Sequence, residues 1–247
     1  MFIKATVLIV ANFVWGFMVP YMARRFAKFM PATPAYAFYR LIKPNKHVKN
    51  ENLKYKLLKK KYRLRSLMFG LVLSVLSLVW IKSNATNMVI VGGTLFVWIS
   101  LLLAEIDYRT FLLPDILTVP LLILGFVFSA SVEKLWSGGI YVCGDFPTVG
   151  VVQSSIGALL GYFLPVIASL FMLKKSKDAF GGGDIKMLAA IGAWLGIKGL
   201  FFTILSSCVI FGFYMLARHQ KSGAFGPALA VAAVAYMLYF VVQFASF

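Results

Sequence analysis

The chain has 247 residues, is 61% hydrophobic and has a mean hydropathy of +0.85, which exceeds the roughly half-apolar make-up of soluble domains and predicts a polytopic membrane protein. Its formal net charge of +17 comes from 25 Lys and Arg against 8 acids. With only Cys143 and Cys208 and no Cys-x-x-Cys, zinc, haem and iron–sulfur sites built on cysteine are not supported.

Residues 2–23 are apolar apart from Lys4 and Asn12 and predict a first span. No basic n-region beyond Lys4 and no small-residue cleavage site mark it as a removable signal. Residues 24–65 carry fourteen Lys or Arg and one acid, Glu51. The positive-inside rule places such a loop in the cytoplasm and the N-terminus outside. Residues 51–65 predict a basic amphipathic helix on the membrane surface; topology alone accounts for the charge of the loop, with an anionic-lipid or substrate-docking patch as the alternative. Spans two and three cover 66–81 and about 87–106. The segment Glu105-Ile106-Asp107-Tyr108-Arg109-Thr110-Phe111-Leu112-Leu113-Pro114-Asp115 then gathers three acids at the cytoplasmic mouth. Asp115 falls in the first turn of span four, which runs to about 132, where a carboxylate meets the positive helix end.

An outer loop, 133–148, contains Cys143 and leads to span five, about 149–173. Lys174, Lys175, Lys177 and Asp178 precede the stretch Phe180-Gly181-Gly182-Gly183-Asp184-Ile185-Lys186. A short span six ends near Gly196, and Gly196-Ile197-Lys198-Gly199 makes an outer turn. Span seven runs to about 217, and Ala224-Phe225-Gly226-Pro227 opens span eight. The expected fold is therefore all-α with about eight transmembrane helices. Its parts are the first helix (1–23), the basic loop (24–65) and a membrane-embedded core (66–247). On this topology twenty-one basic residues lie inside and four, Lys4, Lys82, Lys134 and Lys198, lie outside. That bias accounts for the charge and argues against a nucleic-acid partner.

Asp107 ends span three and Asp184 begins span six, so both fall on one face of the bilayer. An acid at the start of a membrane helix is costly unless something justifies it. Two carboxyls in a partly dry site do not ionise easily together and titrate as a pair. A charged member can take a proton from water, and a neutral one can hydrogen-bond a peptide carbonyl and then protonate the leaving nitrogen. Gly181, Gly182 and Gly183 would let an extended substrate backbone approach closely. Lys186 either biases which carboxyl holds the proton or snorkels to the headgroups.

The block Phe180–Ala190 resembles the Gly-x-Gly-Asp block of bacterial type IV prepilin peptidases. Residues 106–118, with Asp107 and Leu113-Pro114-Asp115, resemble their first aspartate block, and Phe225-Gly226-Pro227 resembles a late element of the same family. The resemblance implies a metal-independent aspartic protease of the bacterial inner membrane with Asp107 and Asp184 as its catalytic pair. It implies cleavage, on the cytoplasmic side, of the short basic leader of a prepilin or pseudopilin. Many members also N-methylate the new terminus with S-adenosylmethionine, and retention of that activity is expected here. The chain departs from the family where many members carry a tetracysteine zinc-binding insertion, since residues 24–65 hold no cysteine.

Asp115 is either the partner of Asp184 or a loop-structuring residue, and the resemblance favours Asp107 as the partner. Glu105 reads as a boundary carboxylate and His219 as solvated. A small transporter or channel would also place acids in membrane helices, but both acids lie at one face. An intramembrane protease that cuts other helices would be expected to hold its acids nearer mid-helix.

Overall fold

The computed structural model describes residues 2–28, 53–82, 87–137, 150–172, 181–219 and 223–245. Among them are seven helices: α1 (Phe2–Lys28), α2 (Leu53–Lys82), α3 (Asn87–Thr110), α4 (Asp115–Ser137), α5 (Val151–Met172), α6 (Gly182–Arg218) and α7 (Gly226–Ala245). Within the described residues there is no strand. Five of these helices contain stretches long and apolar enough to cross a membrane, Ala5–Ala27, Arg63–Lys82, Asn87–Thr110, Val151–Leu170 and Gly182–Arg218. Shorter apolar stretches occupy Asp115–Ser131 and Gly226–Tyr239. The protein is thus a polytopic all-α membrane protein. Most of the basic loop, the outer loop with Cys143, and Asp178 lie outside the described residues.

The chain divides into two compact units, Met1–Asn84 and Ala85–Phe247. In the first, α1 packs on α2 at Gly16, where an added Cβ would meet the Phe69 carbonyl oxygen at 2.6 Å. Val19, Phe26, Leu73 and Trp80 are buried, and Asn12 donates to the Leu8 carbonyl at 3.0 Å. The basic stretch from Leu53 is not a separate surface helix. It runs on without a break into the second span as one helix ending at Lys82. Lys, Leu and Arg are good helix formers, and no Gly or Pro precedes Gly70 to stop it. Residues 66–82, expected with the core, accordingly belong to the first unit.

The second unit is organised on α6. Gly196 breaks this helix, with φ 66° and ψ −169°, a region that is almost entirely glycine's. Leu188, before the break, and Ile204 and Ser207, after it, line the same cavity. On a straight helix they would stand about 24 Å apart or more, so the chain folds back at Gly196 into two antiparallel arms. The first arm, ending at Leu195, is about 21 Å long and the second, from Ile197, about 33 Å. A turn is therefore present at Gly196, where the sequence placed one.

Ending an arm at Gly196 deprives its last carbonyls of helical partners. Ser154 of α5 donates to the Ala193 carbonyl at 2.6 Å, and Ser129 of α4 donates to it at 3.4 Å. Trp194 donates its indole N–H to the Leu121 carbonyl at 2.7 Å and packs its ring against Phe96 and Phe128. Gly157 and Gly161 of α5 lie directly against the backbone of the first arm at Gly192 and Leu188, closer than a Cβ would allow. The arm that begins with Asp184 is thereby fixed by α3, α4 and α5 together.

Candidate active site

Asp107 lies three residues from the end of α3 and is 4% exposed. The helix stops because Phe111 turns left-handed, at φ 55°, while its N–H still bonds the Asp107 carbonyl at 2.8 Å. A bulky residue in that region is strained by about 1–2 kcal/mol. Thr110 supports the turn, its hydroxyl donating to the Ile106 carbonyl at 2.9 Å and accepting from the Leu112 N–H at 3.3 Å. Phe111 and Leu112 themselves are exposed.

The Asp107 side chain is held from the far end of the sequence. Gly226, the first residue of α7, donates its N–H to Asp107 Oδ2 at 2.9 Å. The first amides of a helix have no internal partner and carry positive partial charge, so a carboxylate oxygen satisfies one of them. Glycine is needed here by contact. An added Cβ would lie 2.6 Å from Oδ2 and 3.0 Å from Cγ. Pro227 follows inside the first turn, where its missing N–H costs nothing.

Asp184 sits in the first turn of α6, its N–H bonded to the Gly181 carbonyl at 3.0 Å, and is half-buried. It is close enough to Asp107 for the two carboxyls to interact electrostatically. Thus the structure brings together Asp107, Asp184 and the start of α7 at one end of the second unit. The three glycines differ. Gly183 lies on Leu113 of the α3–α4 loop, where an added Cβ would come within 2.7 Å of the Leu113 Cβ. Gly181, extended at φ −66° and ψ 132°, faces the Asp184 carboxyl, and Gly182 has nothing within 4 Å of where its Cβ would be.

Lys186 pairs with Asp115. Its Nζ bonds Asp115 Oδ2 at 2.6 Å, with the two side chains 42% and 60% exposed. That contact ties the first turn of α6 to the first turn of α4. Neither sequence reading of Lys186 included this contact with Asp115. Glu105, one turn before Arg109, is buried and bonded to its guanidinium at 2.9 Å. His219 is the left-handed cap of α6, exposed, its N–H donating to the Leu216 carbonyl.

Sequence reasoning missed the amide of Gly226 as the partner of Asp107. The usable signal was Phe225-Gly226-Pro227 itself, a helix start without a capping side chain, whose free amides need an acceptor. Its pairing with residue 107 is a contact across the fold that no local pattern shows.

Beside this end of the unit lies an apolar cavity of about 360 Å³ between α5, both arms of α6 and α7. Leu164, Pro165, Leu188, Leu205, Cys208 and Phe225 are among its walls.

Residues 94–216 match the model of the type IV leader peptidase family. A protein of Dickeya chrysanthemi named prepilin leader peptidase/N-methyltransferase is 34% identical to the chain over 179 residues, covering 69% of this chain and 57% of its own length. Proteins of the same name from Aeromonas hydrophila and Neisseria gonorrhoeae are 36% and 33% identical, covering 57% and 68% of this chain and 47% and 52% of their own. The chain spans about half the length of the curated relatives it matches. No solved structure matches it significantly.

Proposed function

Because residues 94–216 match the type IV leader peptidase family, we propose that the chain is a membrane aspartic endopeptidase of that family that removes the basic leader of a type IV prepilin or pseudopilin. The observation that carries the proposal is the meeting of Asp107, Asp184 and the α7 amide of Gly226 at one end of the unit. One carboxylate takes a proton from water as its oxygen bonds to the scissile carbonyl carbon. The other carboxyl hydrogen-bonds the carbonyl oxygen and then protonates the leaving nitrogen as the C–N bond breaks. The amide of Gly226 keeps Asp107 Oδ2 in place throughout. Gly183, Lys186 and Asp115 shape the site by holding the α3–α4 loop against α6, and Gly181 and Gly182 form the open side past which the substrate backbone runs.

The proposal includes eight spans, with the arms of α6 counted separately, in a bacterial inner membrane. The N-terminus is periplasmic and the dyad faces the cytoplasm, as the distribution of basic residues along the sequence requires. The peptidase core is the second unit, starting at Ala85, and membrane lipids surround it. N-methylation of the new terminus is proposed as a second activity on the strength of the relatives' names. The cavity beside the dyad does not fit S-adenosylmethionine, because its lining is apolar apart from Ser207 and Cys208 and offers no charged group to the sulfonium or the amino acid end. No methyl-transfer step is derived from it.

The test is leader removal. Protein in liposomes with a precursor carrying a basic leader, glycine and an apolar helix should shorten that precursor by the mass of the leader. Asp107→Asn and Asp184→Asn should each lower the rate by about 10²–10⁴-fold or more, and Asp115→Asn should retain activity. Solute flux through the liposomes without cleavage would instead establish a transporter.

A further inference from the structure

The cavity beside the dyad has no role in the chemistry above, yet its position is tied to both aspartates. Leu188 in its wall lies one turn beyond Asp184 on the first arm of α6. Phe225 in its wall immediately precedes Gly226, which bonds Asp107. The remaining walls continue along α5 and the second arm, through Leu164, Pro165, Leu205 and Cys208. Leu164, Leu205 and Cys208 are exposed at its edge, so the space opens to the side of the helix bundle rather than being sealed.

We infer that this cavity is the docking groove for the apolar helix of the substrate, taking the side chains of the first turns beyond the scissile bond. The inference rests on the proposed leader-peptidase function. It follows from position, direction and chemistry. A substrate cut between its basic leader and its apolar helix must place the start of that helix at the dyad. From there the helix advances about 5.4 Å per turn. The first arm of α6 starts at the same point, and its Leu188 reaches the cavity after about 6 Å. A substrate helix leaving the dyad alongside that arm meets the cavity within its first two turns. A wall of leucine, proline and phenylalanine with no charged group favours apolar side chains and rejects the basic leader, which would help set which side of the cut lies inward. The volume, about 360 Å³, admits two or three apolar side chains rather than a whole helix.

Cys208 makes the groove testable in the full-length protein. With Cys143→Ser leaving Cys208 as the one thiol, a precursor bearing single cysteines at successive positions of its apolar segment should form oxidative cross-links. These should fall at positions three or four apart, confined to the first two or three turns after the cut. Filling the groove with Ala168→Trp or Leu205→Trp should raise KM for the membrane-inserted precursor about tenfold. Hydrolysis of a short leader peptide that ends just beyond the cut should not change. Cross-links that are absent or without helical spacing, in a protein that still cleaves the precursor, would overturn the groove and leave it to lipid chains. Equal slowing of both substrates by the tryptophans would do the same, by placing the effect on the dyad. Failure of the unaltered protein to cleave any precursor would remove the function beneath the inference, and is distinguished because no variant is then needed to see it.

Discussion

The two aspartates are held in opposite ways. Asp107 is buried within the packed end of α3, and its Oδ2 is fixed by an amide 119 residues further along the chain. Asp184 is half-buried in the opening turn of α6, behind glycines, and among the described residues no hydrogen-bond donor comparable to Gly226 fixes its carboxyl. The fixed member lies deeper and the less constrained one lies at the mouth, beside Gly182, where nothing crowds the backbone. Under the proposed function, a peptide reaching the pair would meet Asp184 first and Asp107 behind it. Asp107 is thus the fixed member of the pair and Asp184 the less constrained one.

This contrast can be broken from the rigid side. Among changes outside the two carboxyls, Gly226→Ala should cause the largest loss, because its Cβ would occupy space within 2.6 Å of Oδ2 and displace the carboxyl from the amide. Losing one charge-assisted hydrogen bond of about 1.5–3 kcal/mol predicts a roughly 10- to 150-fold fall in kcat, measured on a precursor, with helicity by circular dichroism unchanged. Gly196→Ala acts on the arm rather than the carboxyl. At φ 66° and ψ −169° an alanine should cost about 1–3 kcal/mol, read as a lower Tm in detergent.

The same contrast can be sharpened from the mouth. Gly183→Ala would place its Cβ 2.7 Å from the Leu113 Cβ, a clash that only a shift of the α3–α4 loop or of the α6 start relieves, and should slow cleavage several-fold, whereas Gly182→Ala enters open space and should leave the rate unchanged. Equal effects of the two would remove the distinction drawn between these glycines. The smallest effect is expected at the Lys186–Asp115 ion pair, which is largely exposed and worth at most about 1 kcal/mol. Lys186→Asp should slow cleavage by no more than about fivefold, and combining it with Asp115→Lys should restore most of the rate.

Hydropathy and charge made most of this fold legible. The apolar runs located every helix of the second unit, and Gly196-Ile197-Lys198-Gly199 marked the turn that splits α6. Asp107 and Asp184 stood out because a carboxyl at the end of a membrane helix needs a reason to be there. The run from Leu53 was read as a surface helix because its lysines suggested headgroups, while the uninterrupted helix-forming sequence carries it straight into Ser66. The partners of Gly226 and Lys186 were not legible for another cause. Those partners, Asp107 and Asp115, lie 119 and 71 residues away, and a contact of that range is set by packing. No periodicity encodes it.

The dyad itself is tested most directly by the double variant. Leader removal should be timed by mass spectrometry for Asp107→Asn, Asp184→Asn and the two combined, with one precursor in one lipid mixture. If the carboxyls act as a unit, each single variant loses nearly everything and the double variant is no slower than the worse single. If the two losses are independent and multiply, or if either single variant cleaves at the original rate, Asp107 and Asp184 are not a catalytic pair.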